Sequence, residues 1–317
     1  MNTVAIDIKR IEFVITNSCS GQCRHCSAAE TFNEGGSIDV NAAVKVVEQI
    51  VSRYSVESIM TFGGEPLLYP ETVCRIHATA RDCRIPKRQI ITNGYFSKDK
   101  KKIEEVAEYL YRSGINDVLL SVDSFHQEYI PLEPVKLFAK ALLKSNIPSL
   151  RISPAWLTSE GDSNSSNVET KRILEEFKTM GIAISEGNNI FPAGNAIKYL
   201  GKYFPKPETI DLSKTCGEMP YTSRPDRVSS ISISSNGDVV ICHFPIGNIY
   251  KDDILSILDS YRPYETSPIR IVLEEGVTGL LKYAKKLGIE INLRDCYSTC
   301  DVCRQITAEY EKYNEES

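Results

Sequence analysis

This sequence of 317 residues lacks long apolar runs, an apolar leader and any excess of basic charge. No apolar run approaches about 18 residues, so the sequence predicts no transmembrane helix and no membrane partner. The first ten residues alternate charged and apolar side chains, which excludes the apolar core of a secretory signal peptide. The longest basic run, Lys98–Lys102, opens a predicted helix in a chain of net charge −5. We therefore interpret that run as a solvated helix face and expect no nucleic-acid partner.

Ten cysteines stand out against this background. Without an export signal they do not predict a disulfide framework, and their clustering predicts metal binding in a reducing cytosol, hence a cytoplasmic protein. Three of them form the spacing Cys19-x3-Cys23-x2-Cys26, on a loop directly after the apolar run Ile11–Thr16. Three thiolates are soft ligands for zinc or for an iron–sulfur cluster, and three ligands on a four-iron cluster leave one iron open. A zinc site short of one ligand and three buried thiols are the alternatives.

Strand-like and helix-like segments alternate up to about residue 200. The predicted strands are Ile11–Thr16, Ser58–Phe62, Arg88–Thr92, Asp117–Ser121, Leu150–Ser153 and Ile182–Ser185. The predicted helices between them are Val40–Arg53, Glu71–Asp82, Lys100–Ser113, Pro134–Asn146 and Thr170–Gly181. This alternation predicts an α/β fold with parallel strands and right-handed helical crossovers. Parallel barrels place their chemistry at the C-terminal ends of the strands.

Each predicted strand end carries glycines or polar residues. Gly63-Gly64-Glu65-Pro66 follows the second strand, where two glycines let the backbone approach a ligand and Glu65 adds a carboxylate; a mere turn is the alternative. Asn93 follows the third strand in a turn signal. Ser121 and Asp123 lie at the end of the fourth strand, where solvated loop residues are the alternative, and Ser153 ends the fifth strand. The only tryptophan, Trp156, is expected to pack, with substrate stacking as the alternative.

Five more thiols lie beyond residue 207. Cys216 precedes and Cys242 ends a predicted β-hairpin, whose Asn236-Gly237 turn lies between two β-branched runs. The other three form Cys296-x3-Cys300-x2-Cys303 near a terminal helix. Four thiolates here suit a second cluster or a structural zinc ion. Cys74 and Cys83, on the helix after the second strand, are expected to be buried structural thiols.

Taken together, the Cys19-x3-Cys23-x2-Cys26 loop, the Gly63-Gly64-Glu65-Pro66 turn and the alternating pattern resemble the radical S-adenosylmethionine (SAM) enzymes. The resemblance implies a partial (β/α)6 TIM-like barrel over residues 1–205, followed by a small α+β domain over residues 206–317. That second domain resembles the SPASM domain or its shortened twitch form. Pro192-Ala-Gly194-Asn195-Ala196 also resembles a Pro-x-Gly-Arg-Ala stretch found at this place in enzymes with such a domain, with Asn195 in place of the Arg.

The resemblance also implies cofactors and site residues. Cys19, Cys23 and Cys26 would hold a [4Fe–4S] cluster whose open iron is chelated by SAM. An auxiliary [4Fe–4S] cluster would be bound by Cys216, Cys242, Cys300 and Cys303, with Cys296 as the spare thiol. SAM contacts would come from His25, which borders the adenine, and from Gly63, Gly64, Glu65, Pro66, Asn93, Ser121, Asp123 and Ser153. Within this set, the Glu65 carboxylate would meet the SAM ammonium group.

The family resemblance implies reductive cleavage of SAM to a 5′-deoxyadenosyl radical, with an electron donor such as flavodoxin or ferredoxin as partner. The length of the chain and the order of its two predicted domains are similar to those of enzymes that modify ribosomally made peptides. Those enzymes catalyse epimerisation or form a thioether link or a carbon–carbon crosslink. For an epimerase, Cys296 would be the candidate hydrogen donor, with a role as cluster ligand and a packed structural thiol as the alternatives. We also expect the chain to lack the N-terminal domain that many such enzymes use to hold a leader peptide. The alternatives are a radical SAM dehydrogenase of a small molecule and a non-catalytic iron–sulfur or zinc protein.

Overall fold

The computed structural model describes residues 3–28, 35–212, 216–217 and 223–316. The chain divides into two compact units. The larger unit comprises residues 9–204 and 232–237, and the smaller unit comprises the described residues among 1–8, 205–231 and 238–317. Residues 3–8 thus group with the C-terminal part of the chain, and residues 232–237 group with the N-terminal part. The functional boundaries at 1–205 and 206–317 stay a prediction.

The larger unit contains most of the strands and helices. In chain order they are β1 (Ala5–Val14, in this unit from Lys9), α1 (Val40–Arg53), β2 (Ser58–Phe62), α2 (Pro70–Asp82), β3 (Lys87–Thr92), α3 (Lys100–Arg112), β4 (Asp117–Ser121), α4 (Ser124–Gln127), α5 (Leu132–Lys144), β5 (Leu150–Ser153), β6 (Ala155–Trp156), α6 (Ser165–Lys178), β7 (Ala183–Ile184), β8 (Asn188–Asn189) and α7 (Asn195–Leu200).

Six of these strands are parallel neighbours in the order β1-β2-β3-β4-β5-β7. This confirms the predicted α/β arrangement of six parallel strands joined by helical crossovers. Among the described strands β1 and β7 do not pair, so this sheet does not close into a barrel. The last predicted strand is shorter than expected, because only Ala183 and Ile184 pair with β5. A separate two-stranded sheet joins β6 to β8.

Local sequence explains why these elements form. In α1 the buried residues Ala43, Val46, Val47 and Ile50 recur at helical spacing, and the Asp39 side chain caps the first turn by accepting the N–H of Ala42. In β2 the three central residues are all buried. Successive residues of a strand point to opposite faces, so both faces of β2 are covered here. Because β1 to β5 are parallel neighbours, their C-terminal ends lie at the same edge of the sheet.

The smaller unit is built around three strands and three helices. They are β9 (Arg227–Ile233), β10 (Asp238–Ile241), β11 (Phe244–Asn248), α8 (Ile254–Ser260), α9 (Ile269–Lys286) and α10 (Thr299–Glu316). The predicted hairpin is present as β9 and β10, with Gly237 at φ +89° closing the turn. At Gly276, φ is +67° and ψ is −167°, so α9 is two helical segments joined at a sharp break. No helix in the described part of the chain combines the length and apolarity needed to cross a bilayer.

Candidate active site and cluster-binding cysteines

The loop of Cys19, Cys23 and Cys26 is positioned by the two glycines that follow β2. The N–H of Gly64 donates to the Thr16 carbonyl, and the N–H of Glu65 donates to the Ser18 carbonyl, both at 2.8 Å. A Cβ atom on Gly64 would lie 2.1 Å from the Ser18 carbonyl oxygen. Gly63 adopts φ +139°, which disfavours other residues. The glycines are therefore needed for close approach to the segment that leads into the cysteine loop.

A cavity of about 730 Å³ lies at the C-terminal ends of the strands in the larger unit. The structure brings together around it most of the side chains that the sequence singled out. These are Cys19, Cys23, His25, Cys26, Gly63, Gly64, Asn93, Ser121, Asp123 and Ser153. Among the described lining residues none is Lys or Arg. The cavity also has an uncharged polar region formed by Asn188, Asn189, Ser234, Ser235 and Asn236.

Glu65 and Pro66 are absent from the described lining, and the Glu65 side chain differs from expectation. Its carboxylate is fully buried. It accepts hydrogen bonds from the Thr92 hydroxyl at 2.6 Å, the Asn93 N–H at 2.8 Å and the Leu67 N–H at 2.9 Å. Burial raises the pKa of Glu65 to about 7, against these three hydrogen bonds, which lower it. The carboxylate expected to meet the SAM ammonium group instead joins the end of β2 to the end of β3.

Asn93 lies between this network and the cysteine loop. Its side-chain amide donates to the Ser20 hydroxyl at 3.2 Å and to the Cys19 sulfur at 3.6 Å. Burial raises the pKa of Cys19 to about 11 in the metal-free protein. A bound metal centre would be needed to hold this thiol as the thiolate, since metals deprotonate the thiols that coordinate them.

Asp123 also has a role that the sequence did not reveal. Its fully buried carboxylate accepts the backbone N–H groups of Phe125, His126 and Ala155 at 3.0 Å and pairs with His126 Nδ1 at 2.8 Å. Burial alone would raise the pKa of Asp123, but His126 and the hydrogen bonds outweigh it and hold that pKa well below its usual range. Asp123 therefore caps α4 and orients the His126 ring, and its direct contact with SAM is not needed to explain its burial.

His126 lines the cavity but was not among the predicted site residues. The spacing Asp123-x2-His126 at the start of a short helix was the signal that could have identified it. The His126 and His25 ring centroids are 4.6 Å apart. The buried His25 Nδ1 atom has no hydrogen-bond partner, and burial lowers the pKa of His25 to about 4. A neutral imidazole with an unpartnered nitrogen at the cavity wall fits the expected border of a bound adenine.

Asn195 is a second residue whose position the sequence did not predict. Its backbone N–H donates to the Cys26 carbonyl at 3.0 Å, and its side-chain amide donates to the Cys23 carbonyl at 3.2 Å. Gly194, at φ +52°, lies so close that a Cβ there would be 2.7 Å from the Ser27 carbonyl oxygen. The stretch around Gly194 and Asn195 thus supports the cysteine loop directly. Trp156 is 3 % exposed and donates its indole N–H to the Glu186 carbonyl, in agreement with the expected packing role.

In the smaller unit, four thiols lie within electrostatic range of one another. Burial raises the pKa of Cys303, and the neighbouring thiols Cys216, Cys242 and Cys300 raise it further. His243 contacts two of them, with Nδ1 3.2 Å from the Cys242 sulfur and Nε2 3.3 Å from the Cys303 sulfur. These four cysteines are the set that the sequence proposed as ligands of an auxiliary cluster.

Cys296 is placed apart from that group. Its side chain is 1 % exposed, and its sulfur lies 3.7 Å from the Asn292 carbonyl oxygen. Burial raises the pKa of Cys296 to about 11, with Asp301 and Asp295 contributing. This position favours a packed thiol and lends no support to the expected role as hydrogen donor. Cys74 is buried as expected, whereas Cys83 is only partly buried.

In the described residues, neither set of thiols is gathered as closely as the ligands of a single zinc ion. Tetrahedral zinc with Zn–S bonds of about 2.3 Å would hold its sulfur ligands about 3.8 Å apart. Among the described residues, the only group of three metal-binding side chains whose ligand atoms all lie within 4.8 Å is His25, Asp123 and His126. Neither cysteine set converges to this extent. Thiols farther apart fit the separate irons of a multi-iron cluster.

Comparisons with known proteins agree with this chemistry. Residues 13–148 match the model of the radical SAM superfamily, and residues 227–304 match the model of the SPASM iron–sulfur cluster-binding domain. The probable GTP 3′,8-cyclase of Methanocaldococcus jannaschii is 29% identical over 122 residues, which cover 38% of this chain and 39% of that protein. The GTP 3′,8-cyclase of Picosynechococcus sp. is 25% identical over 127 residues, or 39% of this chain and 36% of that protein. The matches thus span less than half of these relatives.

Solved structures show the same fold. Native anSMEcpe with bound AdoMet aligns over 97% of this chain and 100% of that chain, with a TM-score of 0.53 and 13% identity. Its complex with AdoMet and the Cp18Cys peptide gives a TM-score of 0.52 at 13% identity over 97% of this chain and 99% of that chain. The radical SAM domain binds a [4Fe–4S] cluster and SAM, and the SPASM domain binds auxiliary iron–sulfur clusters. The chain therefore belongs to the radical SAM superfamily as an enzyme with a C-terminal SPASM domain.

Proposed function

We propose that this radical SAM enzyme modifies a ribosomally made peptide, by abstracting a hydrogen atom from a Cα or side-chain carbon. The outcome would be epimerisation, a thioether link or a carbon–carbon crosslink. The observation that carries the proposal is the cavity lining, which is rich in amides and hydroxyls and has no Lys or Arg among its described residues. Neutral amide and hydroxyl groups match the donors and acceptors of a peptide backbone.

Residue roles follow from the positions described above. We assign Cys19, Cys23 and Cys26 to the first cluster, and Cys216, Cys242, Cys300 and Cys303 to the auxiliary cluster. The backbone of Gly63 and Gly64 and the side chains of Asn93, Ser121 and Ser153 would hold SAM, with His25 against its adenine. When bound and reduced by one electron, this cofactor pair supplies the 5′-deoxyadenosyl radical. A protein donor such as flavodoxin or ferredoxin would deliver that electron, and a cytoplasmic location remains our prediction.

The same lining argues against a nucleoside triphosphate, the substrate class that the names of the matched cyclases suggest. Phosphate groups are usually bound by Arg, Lys or a metal ion. In the described lining the ionisable side chains other than the thiols are His25, His126 and the carboxylate of Asp123. A triphosphate placed here would therefore have no lysine or arginine to balance its charge.

Oxidation of a small alcohol is a second candidate, favoured by the Asp123–His126 pair. Because Asp123 holds Nδ1 of His126 at 2.8 Å, the other ring nitrogen of a neutral His126 is an acceptor. A base in the cavity suits removal of a proton from a hydroxyl group once hydrogen abstraction has occurred. This reaction also requires an electron acceptor, a role open to the auxiliary cluster. A non-catalytic protein, the third alternative, is not supported, since the chain is a radical SAM enzyme.

The test is anaerobic turnover in deuterated water with the reconstituted enzyme, SAM, dithionite and candidate precursor peptides, which are to be sought among short reading frames beside its gene. A peptide substrate should raise 5′-deoxyadenosine formation in step with modified peptide. Mass spectrometry would distinguish an epimerised residue, which gains deuterium, from a crosslink, which loses two hydrogen atoms. A scrambled peptide of the same composition is the matched control. If GTP or a polyol drives 5′-deoxyadenosine formation and the peptide does not, the peptide proposal is wrong.

A further inference from the structure

A patch of exposed tyrosines and basic side chains lies beside the cysteine loop, and the function described above does not use it. We define the Lys–Tyr patch as Arg24, Tyr129, Lys198, Tyr199, Lys202 and Tyr203. The three tyrosines are 47 %, 47 % and 41 % exposed, in that order. Lys198 and Lys202 are exposed as well. None of the six is among the described residues that line the cavity. The patch is therefore separate from the cavity that we assign to SAM and substrate.

The patch adjoins the cysteine loop, because Arg24 belongs to that loop and the helix that carries Lys198 and Tyr199 is hydrogen-bonded to it. Arg24 follows Cys23 in the loop, and the phenol groups of Tyr129 and Tyr203 lie close enough to act on its charge. Helix α7, which carries Lys198 and Tyr199, begins at Asn195 with the hydrogen bonds to the Cys23 and Cys26 carbonyls. Arg24 is thus adjacent in sequence to the assigned ligand Cys23, and Lys198 and Tyr199 lie on the helix that begins at the loop-bound Asn195.

Packing holds the patch in a fixed orientation. The buried side chains Ala196 and Leu200 of α7 pack with Phe125, Leu157 and Ile190 in a small apolar cluster. Lys198 and Tyr199 consequently face away from that cluster. Lys202 and Tyr203 follow in a 3-10 turn over Gly201–Tyr203. Each lysine nitrogen lies 5.0 Å from the centre of the adjacent tyrosine ring, so cation and aromatic face are presented together.

The charge of the patch is positive. Glu128 neutralises Arg24 in a two-point ion pair. Within the described part of the chain, neither Lys198 nor Lys202 lies within ion-pair distance of a carboxylate. Two positive charges beside exposed aromatic rings form a surface suited to an acidic protein, because complementary charges steer association and tyrosine is enriched in protein interfaces. The chain as a whole is acidic, with net charge −5, so this patch is a local reversal.

We propose that the Lys–Tyr patch is the docking surface for a small acidic electron-carrier protein that reduces the first cluster. In each docking event the donor is oxidised by one electron and the cluster is reduced by one electron. A reduced flavodoxin matches this chemistry. The inference rests on the assignment of Cys19, Cys23 and Cys26 as cluster ligands, which is part of the proposed function, but it does not depend on the substrate.

The experiment compares two reductants on the same reconstituted protein. Flavodoxin hydroquinone must dock before it transfers an electron, whereas dithionite is small and needs no docking surface. Cluster reduction is followed anaerobically by visible absorbance in a stopped-flow instrument. The test variant is K198E/K202E, and the matched control is K100E/K102E, which reverses two exposed lysines at the start of α3.

We expect K198E/K202E to slow cluster reduction by flavodoxin at least about tenfold at low ionic strength, the scale of electrostatic steering. The difference should shrink as salt is raised, because exposed charges are screened. Reduction by dithionite, iron content and dithionite-driven 5′-deoxyadenosine formation should match the wild type, and K100E/K102E should match it in both arms. Equal flavodoxin rates in K198E/K202E and wild type would overturn the proposal, as would an equal loss in K100E/K102E.

If K198E/K202E is also reduced more slowly by dithionite, the charge reversal has damaged the cluster site. The milder K198Q/K202Q variant is then used to test the docking proposal. With dithionite reduction intact, K198Q/K202Q must still slow flavodoxin, by less than the charge reversal does. If it does not, the docking proposal is wrong. If dithionite fails to reduce the wild-type cluster, the ligand assignment is at fault, so the two failures can be told apart. No readout requires the substrate.

Discussion

The Glu65 carboxylate accepts the backbone N–H of Asn93 at 2.8 Å. This bond ties the turn after β2 to the turn after β3, and the Thr92 hydroxyl and the Leu67 N–H complete the set of donors. Asn93 in turn contacts Cys19 through its side-chain amide. The acidic residue of the Gly-Gly-Glu-Pro turn thus stabilises the backbone next to the cysteine loop.

Glu65→Gln should therefore destabilise the protein. The amide NH2 group replaces one carboxylate oxygen and would face a backbone N–H, leaving a buried donor without an acceptor. Loss of a hydrogen bond to a charged group costs about 1.5–3 kcal/mol. Urea unfolding of the metal-free protein, followed by circular dichroism, measures the effect. Glu104→Gln, on the exposed face of α3, is the control and should be neutral. An unchanged unfolding midpoint together with weaker SAM binding would instead assign the carboxylate to SAM.

Iron counting tests the two sets of cysteine ligands. The reconstituted protein should bind about eight irons, the content of two four-iron clusters. Replacing Cys19, Cys23 and Cys26 by Ala should leave about four, and replacing Cys216, Cys242, Cys300 and Cys303 should also leave about four. Cys74→Ala and Cys83→Ala are the controls and should keep all the iron. A triple variant that retains its full iron content would contradict the assignment of the first cluster.

Cys296→Ala should keep its full iron content, because the thiol is packed apart from the other four. We expect lower stability and a normal product. The measurements are iron content and turnover in deuterated water, with Cys300→Ala as the control that loses auxiliary iron. Lost iron would make Cys296 a ligand, whereas full iron with lost deuterium incorporation would make it the hydrogen donor.

His243→Phe should make the reduction potential of the auxiliary cluster more negative. An imidazole N–H that donates to a ligand sulfur stabilises the added electron, and hydrogen bonds to sulfur are among the factors that set cluster potentials. Phenylalanine keeps the ring and removes the donor. The potential is best measured by a redox titration with EPR detection in the Cys19, Cys23 and Cys26 triple variant, which isolates this cluster. Loss of iron in His243→Phe would show instead that His243 coordinates metal.

Asp117 makes the stability of the larger unit sensitive to acid. Burial alone would raise its pKa, but the hydrogen bonds from Arg151 and Ser149 and the nearby charges of Arg151 and Lys87 outweigh it and lower the pKa. A depressed pKa contributes stability that is present above the unfolded value of about 3.9 and is lost as pH falls through the folded value. Asp117→Asn should therefore destabilise the protein by roughly 1–3 kcal/mol near neutral pH.

The difference between wild type and Asp117→Asn, measured as urea midpoints, should shrink as the pH falls from about 5 to about 3. Asp82→Asn, at a side chain that is 68% exposed, is the matched control. A difference that stays constant over this range would mean that the Asp117 charge is not the source of the stability.

Much of the fold could be predicted because its signals are local. Helix α1 follows from apolar residues at helical spacing with Asp39 as cap, and the β9–β10 hairpin follows from its Asn-Gly turn. The sixth strand was predicted but not its shortness as β7, and the small β6–β8 sheet was not predicted. Pairing of such short segments depends on which backbone groups lie opposite them, and a pattern of apolar residues does not contain that information.

The sequence by itself determined the chemistry of this protein. Three thiols on one loop select soft metal centres, and the spacing and alternating pattern resemble a family whose model the chain matches. Only the tertiary structure decided what the individual polar residues do. Glu65 and Asp123 are carboxylates that sequence alone places at a ligand, yet each is fully buried and surrounded by backbone N–H groups. Burying a charge is costly unless donors surround it. Those donors come from segments 28 and 32 residues further along the chain as well as from adjacent residues, so only folding brings them together.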